Sequence, residues 1–280
     1  MDFFEILKAI LLGIVEGITE WLPVSSTGHM ILLDEFMKLS VSESFMEMLL
    51  VVIQLGAILA VPVLFFDKLN PFTKKKSECE RKSTLSLWLK VIVGAVPAAV
   101  IGLLLDDILD EYLYNYIVVS IALIVYGVAF ILVERHNEDK APRVSDVYDL
   151  TYGDALKIGA FQVLSLIPGT SRSGSTILGG ILTGVSRGAA AEFSFFMAIP
   201  VMLGASGLKL LKYLVEGGIP TGNEILLLLI GMAASFLVSL FAIKFLTDFV
   251  KRHSFSPFGV YRIILGLAVI GYFVAKTLIG

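Results

Sequence analysis

Along the chain, long apolar runs alternate with short polar breaks, and the runs are long enough to cross a bilayer. A spanning helix needs roughly 20 mostly apolar residues, and such runs lie near 47–66, 87–105, 116–133, 193–211, 224–246 and 258–279. Two further apolar stretches, 3–33 and 154–184, are interrupted by Pro, Gly, Ser and charged residues and do not read as plain spans. The pattern predicts an all-α integral membrane protein: one membrane domain over 1–280, with about six transmembrane helices and two broken, re-entrant segments.

Composition strengthens that picture. The 280 residues are 56% hydrophobic and 17% charged, with mean hydropathy +0.86, whereas an average soluble domain is roughly 45–50% apolar and about 25% charged. The lipid bilayer is therefore the expected surroundings for most of the chain. A net charge of −3 is too small to imply a nucleic-acid partner, and none is expected. Cys79 is the one cysteine, so no intramolecular disulfide forms. The first residues carry Asp2 and Glu5, and no small-residue cleavage site follows the apolar run; the N-terminal segment is expected to stay in the mature protein.

Charge bias sets an orientation. Lys68, Lys74, Lys75, Lys76, Arg81 and Lys82 crowd the connection after the first full span, which places it in the cytoplasm by the positive-inside rule. Arg135, Lys140 and Arg143, two spans on, fall on the same side, and the turn between, 106–115, holds Asp106, Asp107, Asp110 and Glu111 with no Lys or Arg. Continued alternation places Lys244, Lys251 and Arg252 inside and the turn 216–223 and the C-terminus outside. If 3–33 enters and returns without crossing, the N-terminus is outside as well.

The two halves resemble each other. Gly13-Ile14-Val15-Glu16 matches Gly159-Ala160-Phe161-Gln162, Pro23 matches Pro168, Ser25-Ser26 matches Thr170-Ser171, Gly28 matches Gly174, and Phe45 and Leu55-Gly56 match Phe193 and Leu203-Gly204. The spacing stays at 145–148 residues, giving repeat units of about 3–66 and 154–211. The orientation above starts the first outside and the second inside, an inverted repeat. Such repeats place a polar site where their broken helices meet, because non-helical backbone at membrane depth persists only when buried in protein or lining a watery cavity.

The polar residues at those breaks carry the candidate chemistry. Glu16 and Glu20 are four apart and share a helix face. Each carboxylate costs about 2.5–3.5 kcal/mol on insertion scales, so a cation must compensate them. A divalent ion, Mg2+ or Ca2+, suits one or two carboxylates plus substrate phosphate. The stretch Pro168-Gly169-Thr170-Ser171-Arg172-Ser173-Gly174-Ser175-Thr176 combines glycines, hydroxyls and an arginine before a helix. Glycines admit close backbone approach, the helix presents its positive end, and the Arg172 fork suits phosphate oxygens. A Ser/Gly-rich bend of a transporter has similar composition. His29 follows Ser25, Ser26 and Thr27 at the entry to the second arm of the first break and is open to roles as base, acid or nucleophile. Glu47, Gln54, Arg187 and Glu192 are weaker candidates on or beside the following spans. Gly94, Ala95, Ala98, Ala99, Gly204, Ala205 and Gly207 suit either grooves for a lipid tail or plain helix packing.

Glu16-x-x-x-Glu20, Pro23-Val-Ser-Ser-Thr-Gly-His29 and Pro168-Gly-Thr-Ser-Arg-Ser-Gly-Ser-Thr176 resemble the bacterial undecaprenyl-diphosphate phosphatases of the bacitracin-resistance type. The resemblance extends over essentially the whole chain. It implies a multi-pass enzyme of the bacterial inner membrane, opening toward the periplasm, that removes the terminal phosphate of undecaprenyl diphosphate and so recycles the carrier lipid for cell-wall synthesis. It also implies a divalent-cation requirement. Carried over by position, Glu16 and Glu20 are the acidic, metal-holding pair, Ser26 and His29 are catalytic candidates with Arg172, and Ser171, Arg172, Ser173 and Thr176 hold phosphate, with Ser25, Thr27, Gly169, Thr170 and Gly174 completing the two bends around it.

The expected partners are a polyprenyl diphosphate lipid and the bilayer, with a second copy of the chain, as a homodimer, left open. Attack on phosphorus by water, by Ser26 or by His29 all remain open, and His29 assisting Ser26 is the favoured arrangement. A polyprenyl-phosphate flippase or other secondary transporter is the rival reading, since inverted repeats with broken helices are transporter architecture.

Overall fold

A computed structural model describes residues 2–113 and 115–279, with the side chains at 34–35, 106–111 and 279 outside that description. Its described residues form helices α1 (Phe3–Thr19), α2 (Ser26–Phe36), α3 (Glu43–Val52), α4 (Gln54–Leu64), α5 (Phe66–Leu69), α6 (Glu78–Leu113), α7 (Tyr116–Asn137), α8 (Tyr152–Val163), α9 (Arg172–Leu182), α10 (Arg187–Val215), α11 (Gly222–Phe249) and α12 (Ser256–Ile279). Among the described residues, six stretches are long and apolar enough to cross a membrane: Glu43–Leu64, Glu78–Leu105, Tyr116–Asn137, Arg187–Val215, Gly222–Phe249 and Ser256–Leu278. They are the six expected from the hydrophobic pattern. Large apolar side chains such as Leu59, Leu103, Leu132, Phe241 and Ile264 point outward, as a lipid-facing surface requires.

Helix starts follow the local chemistry. The side chains of Asp2, Ser42, Asn115 and Ser186 each accept a backbone N–H of the following first turn, and Thr151 with Asp154 and Thr221 with Glu224 form reciprocal capping boxes. Some boundaries differ from the sequence expectation. The 47–66 run is broken at Ile53 into α3 and α4. Helix α6 takes in Arg81 and Lys82 at one end and continues to Leu113 at the other, so most of the expected 106–115 turn is helical. Hydropathy marks only the part of a helix that meets lipid, whereas intrahelical hydrogen bonds continue into the polar flanks. The side chains of Asp106, Asp107, Asp110 and Glu111 lie outside the described residues.

Close packing of glycines sets how the elements meet. A Cβ on Gly13 would lie 2.3 Å from the Gly231 carbonyl oxygen, and one on Gly17 would lie 2.7 Å from that of Ser235, so α1 runs alongside α11 in the same direction. In the other half a Cβ on Gly159 would run into Gly94 O, and Gly102 meets Leu166 about two turns further on, so α8 runs parallel to α6. Helices α7 and α12 cross antiparallel where Gly127 and Gly259 each face the other's carbonyl oxygen. Gly94 is thus a helix-packing glycine, whereas Gly204 and Gly207 meet nothing within 4 Å. Overpacking costs about 1–3 kcal/mol, so Gly159→Ala is expected to lower the melting temperature of the detergent-purified protein. An unchanged melting temperature would show that α6 and α8 do not approach this closely.

Polar links fasten the helix ends away from the breaks. Arg187 donates from Nε to both oxygens of the buried Glu134, at 3.0 and 2.9 Å, and Glu134 also accepts the Phe255 N–H at 3.0 Å. Lys68 pairs with Glu192 at 2.6 Å, and Lys209 with Glu47 at 3.1 Å. Three of the weaker candidates, Glu47, Arg187 and Glu192, are therefore held in ion pairs of their own.

Candidate active site

The two broken segments have the same local geometry. The first turns from α1 into α2 through residues 20–25, and the second turns from α8 into α9 through residues 164–171. Each turn ends on a serine with positive φ: Ser25 at 72° and Ser171 at 71°, the non-glycine residues with positive φ among those described. Their hydroxyls cap the next helix, accepting the Gly28 N–H at 3.4 Å and the Gly174 N–H at 3.1 Å. Backbone held there costs of order 1–3 kcal/mol per residue and persists only where surrounding contacts enforce it. The equivalence corrects the sequence register, because Ser25 pairs with Ser171 rather than with Thr170. Ser26 and Arg172 are then counterparts, each the first residue of its helix.

The side chains of these two first residues meet at Glu20. Arg172 reaches Glu20 Oε1 with Nε at 3.0 Å and Nη2 at 2.9 Å. The Ser26 hydroxyl donates to Glu20 Oε2 at 3.4 Å. Arg172 Nη1 donates to Ser194 O on α10 at 2.8 Å, and the Thr176 and Ser194 hydroxyls are 2.7 Å apart. The Ser173 hydroxyl donates back to Glu20 O at 2.9 Å, and Trp21 lies under the guanidinium at 5.9 Å. Glu16 and Glu20 are both buried.

Besides the Trp21 indole N–H, a carboxylate oxygen and a guanidinium nitrogen in this cluster are buried without hydrogen bonds. Glu16 Oε1 is buried and has no partner, and Arg172 Nη2, although close to Glu20, lacks hydrogen-bond alignment. An unsatisfied buried polar atom costs about 1–3 kcal/mol, more when charged. An acceptor oxygen and a guanidinium donor that both await a partner fit a site for a cation and an oxyanion. Ser26, Thr27, His29, Ser171 and Arg172 are half-buried, while Ser25, Ser173 and Thr176 are buried behind them.

His29 is not hydrogen-bonded to Ser26. Its Nδ1 lies 2.7 Å from Ser25 O and its Nε2 lies 2.6 Å from the Tyr261 hydroxyl, with the two rings stacked at 5.6 Å. A carbonyl only accepts, so Nδ1 carries the proton donated to Ser25 O, and the neutral ring takes the Tyr261 O–H on Nε2. His29 is thereby placed to brace the Ser25 bend. Thr170 is likewise engaged, its hydroxyl donating to Leu164 O and Ile167 O at 2.9 and 2.8 Å. Gly169 has φ of 94° and leaves no room for a Cβ beside Val119 O.

Arg262, on α12, is the residue that sequence reading missed. It is fully buried and donates to Pro23 O at 3.1 Å and to Gly169 O and Thr170 O at 2.8 Å each, joining the two bends through their carbonyls. The signal was present: an arginine near the start of the apolar run 258–279, whose other charge, Lys276, sits in its last turn, and a charge within a span is expensive unless it serves the interior. Ser194 and Tyr261 carried no such signal.

Comparison with known proteins places these residues in context. The family model for bacitracin resistance protein BacA matches residues 9–268. A protein of Enterococcus faecalis (strain ATCC 700802 / V583) named undecaprenyl-diphosphatase is 58% identical over 272 residues, covering 97% of this chain and 99% of that one. A protein of the same name from Desulfitobacterium hafniense (strain DSM 10664 / DCB-2) is 57% identical over 281 residues, covering 100% of both. Another, from Streptococcus mutans serotype c (strain ATCC 700610 / UA159), is 56% identical, again over 100% of both.

Proposed function

This chain belongs to the bacitracin resistance protein BacA family, and from that premise we propose how it hydrolyses undecaprenyl diphosphate to undecaprenyl phosphate and inorganic phosphate. The observation that carries the mechanism is the Glu20 carboxylate, with one oxygen facing the Ser26 hydroxyl and the other held by Arg172. Ser26 Oγ attacks the terminal phosphorus while its proton passes to Glu20 Oε2. The anhydride P–O bond breaks, its electron pair leaves on undecaprenyl phosphate, and Glu20 returns the proton to that oxygen. Water then attacks the phosphoserine, giving its proton to Glu20, and Ser26 departs with that proton as phosphate is freed. Arg172 Nη2 and the first-turn N–H groups of α2 and α9 donate to the phosphoryl oxygens, where charge accumulates.

A divalent cation, Mg2+ or Ca2+, fits the residues present. Among the described residues no group of three or more His, Cys, Asp or Glu gathers to hold a metal, but Glu16 Oε1 is free, and Glu16 with Glu20 needs only substrate phosphates to complete an oxygen donor set. Bound there, the cation neutralises charge on the diphosphate and so favours departure of the lipid phosphate. Chelation is therefore expected to abolish phosphate release and added Mg2+ or Ca2+ to restore it, with Glu16→Gln requiring more cation for half-maximal rate. Full activity after exhaustive chelation would remove the cation from this account.

The protein is a multi-pass membrane protein, and we place it in the bacterial inner membrane with the two breaks re-entering from opposite sides and the site opening to the periplasm. The charge bias of the connecting segments and the parallel runs of α1 with α11 and α8 with α6 support that reading. The test of the nucleophile is Ser26→Ala, expected to cut phosphate release about 10²-fold or more with the fold retained. A loss of only a few-fold would give the attack to water instead.

A further inference from the structure

Beyond the active site, the far end of α11 combines exposed aromatic rings with cations. Phe241 and Phe245 are 76% and 55% exposed, and with Phe249 they follow one another every four residues along one helix face. Beside them on the helix lie Lys244 and Asp248, with Lys251 and Arg252 in the turn that follows. These residues and His253 line an open groove of about 720 Å³.

The charges do not cancel within the groove. Asp248 is paired with Lys251 at 2.8 Å and also faces Lys244 and Arg252, so one carboxylate stands against three cations and two positive charges remain in surplus. His253 stacks on Phe249 at 4.6 Å and closes the polar end. Phe249 ends a stretch long and apolar enough to span the membrane, so the cations lie at a membrane–water boundary and the rings of Phe241 and Phe245 lie in the lipid beside it. Phe241 and Phe249 are eight residues apart, roughly 12 Å along the helix, and the turn carrying Arg252 lies beyond Phe249, enough for a headgroup and part of an acyl chain.

We infer that this groove binds an anionic phospholipid, its phosphate between Lys244 and Arg252 and an acyl chain along Phe241 and Phe245. The charge surplus selects an anion, the aromatic stripe selects a molecule with a hydrocarbon tail, and the position at a span end makes the surrounding leaflet the source. Basic pockets on transmembrane helices recognise lipid headgroups through such surpluses.

Native mass spectrometry of the detergent-purified chain, titrated with phosphatidylglycerol against phosphatidylcholine, tests the inference. Phosphatidylglycerol should bind preferentially by at least tenfold, about fivefold for each surplus positive charge. The double variant Lys244→Gln/Arg252→Gln should bring the two lipids to near parity while leaving phosphate release from undecaprenyl diphosphate unchanged. Equal binding of the two lipids to the wild-type chain, or a preference that survives in the double variant, would overturn the site. Glycerol phosphate displacing phosphatidylglycerol at equal concentration would overturn the assignment to a lipid, because the tail would then contribute nothing.

Discussion

Arg172→Ala is expected to lower phosphate release from undecaprenyl diphosphate by about 10³-fold. Removing a single neutral donor from an oxyanion site costs about 10²–10³ in kcat, and Arg172 brings a full charge. Two of its nitrogens lie on Glu20, a third is on Ser194 O, and Nη2 is the donor still without an aligned acceptor. The alanine variant also leaves Glu20 buried without its cation, and breaking a buried pair costs about 3–5 kcal/mol. Arg172→Lys separates the two effects. It keeps the charge but replaces a planar fork by a point donor, so it is expected to fold with a melting temperature near wild type and still lose about 10² or more in rate. A folded lysine variant with wild-type turnover would show that the fork has no part in the transition state.

Glu20→Gln is the second large effect. The amide retains the shape of the carboxylate and can still accept from Arg172, but it cannot take the proton of Ser26. General base catalysis contributes about 10²–10⁴-fold, and the variant is expected to fall by that amount in kcat at saturating cation and substrate, with KM free to rise because Glu20 also belongs to the proposed cation donor set. Phosphate release measured over a substrate titration gives both parameters. A rate within tenfold of wild type would move the base elsewhere, and His29 could take that role only if it left Ser25 O and Tyr261.

Most of this site could be read from the sequence, because charges and bends inside apolar runs are costly enough to stand out. Glu16, Glu20 and Arg172 are ionisable groups in such runs, and the structure gathers them with Ser26. What the sequence could not supply was direction. His29 adjoins Ser26 along the chain, yet helix geometry turns its ring toward Ser25 O and Tyr261 and leaves Ser26 to Glu20. Register was lost for a related reason. Proline at 23 and at 168 suggested a one-residue shift, but what the two turns share is the positive φ at Ser25 and Ser171, which residue identity does not reveal. Arg262 was legible and overlooked, since the run around it was read for length rather than for the arginine inside it.

The fold divides the same way. Six spans follow from hydropathy alone, but the break at Ile53, in Val51-Val52-Ile53-Gln54-Leu55, has only the single polar residue Gln54 beside it and no proline or glycine at the break to mark it. The pairing of α1 with α11 and of α8 with α6 depends on glycines that meet across more than 60 residues of chain. A glycine in an apolar run looks the same whether it faces another helix, as Gly94 does, or open space, as Gly204 does.

The central claim is that the two bends form one catalytic centre at Glu20, and a double-mutant cycle on Glu20→Gln and Arg172→Lys, read as kcat/KM for phosphate release, tests it most directly. Side chains in contact couple by about 0.5–3 kcal/mol, whereas distant ones act independently to within about 0.3–0.5 kcal/mol. The account predicts that the double variant departs from the product of the two single losses by about tenfold or more. Losses that multiply to within about twofold would mean that the two residues do not act together, and the two bends would not be one site.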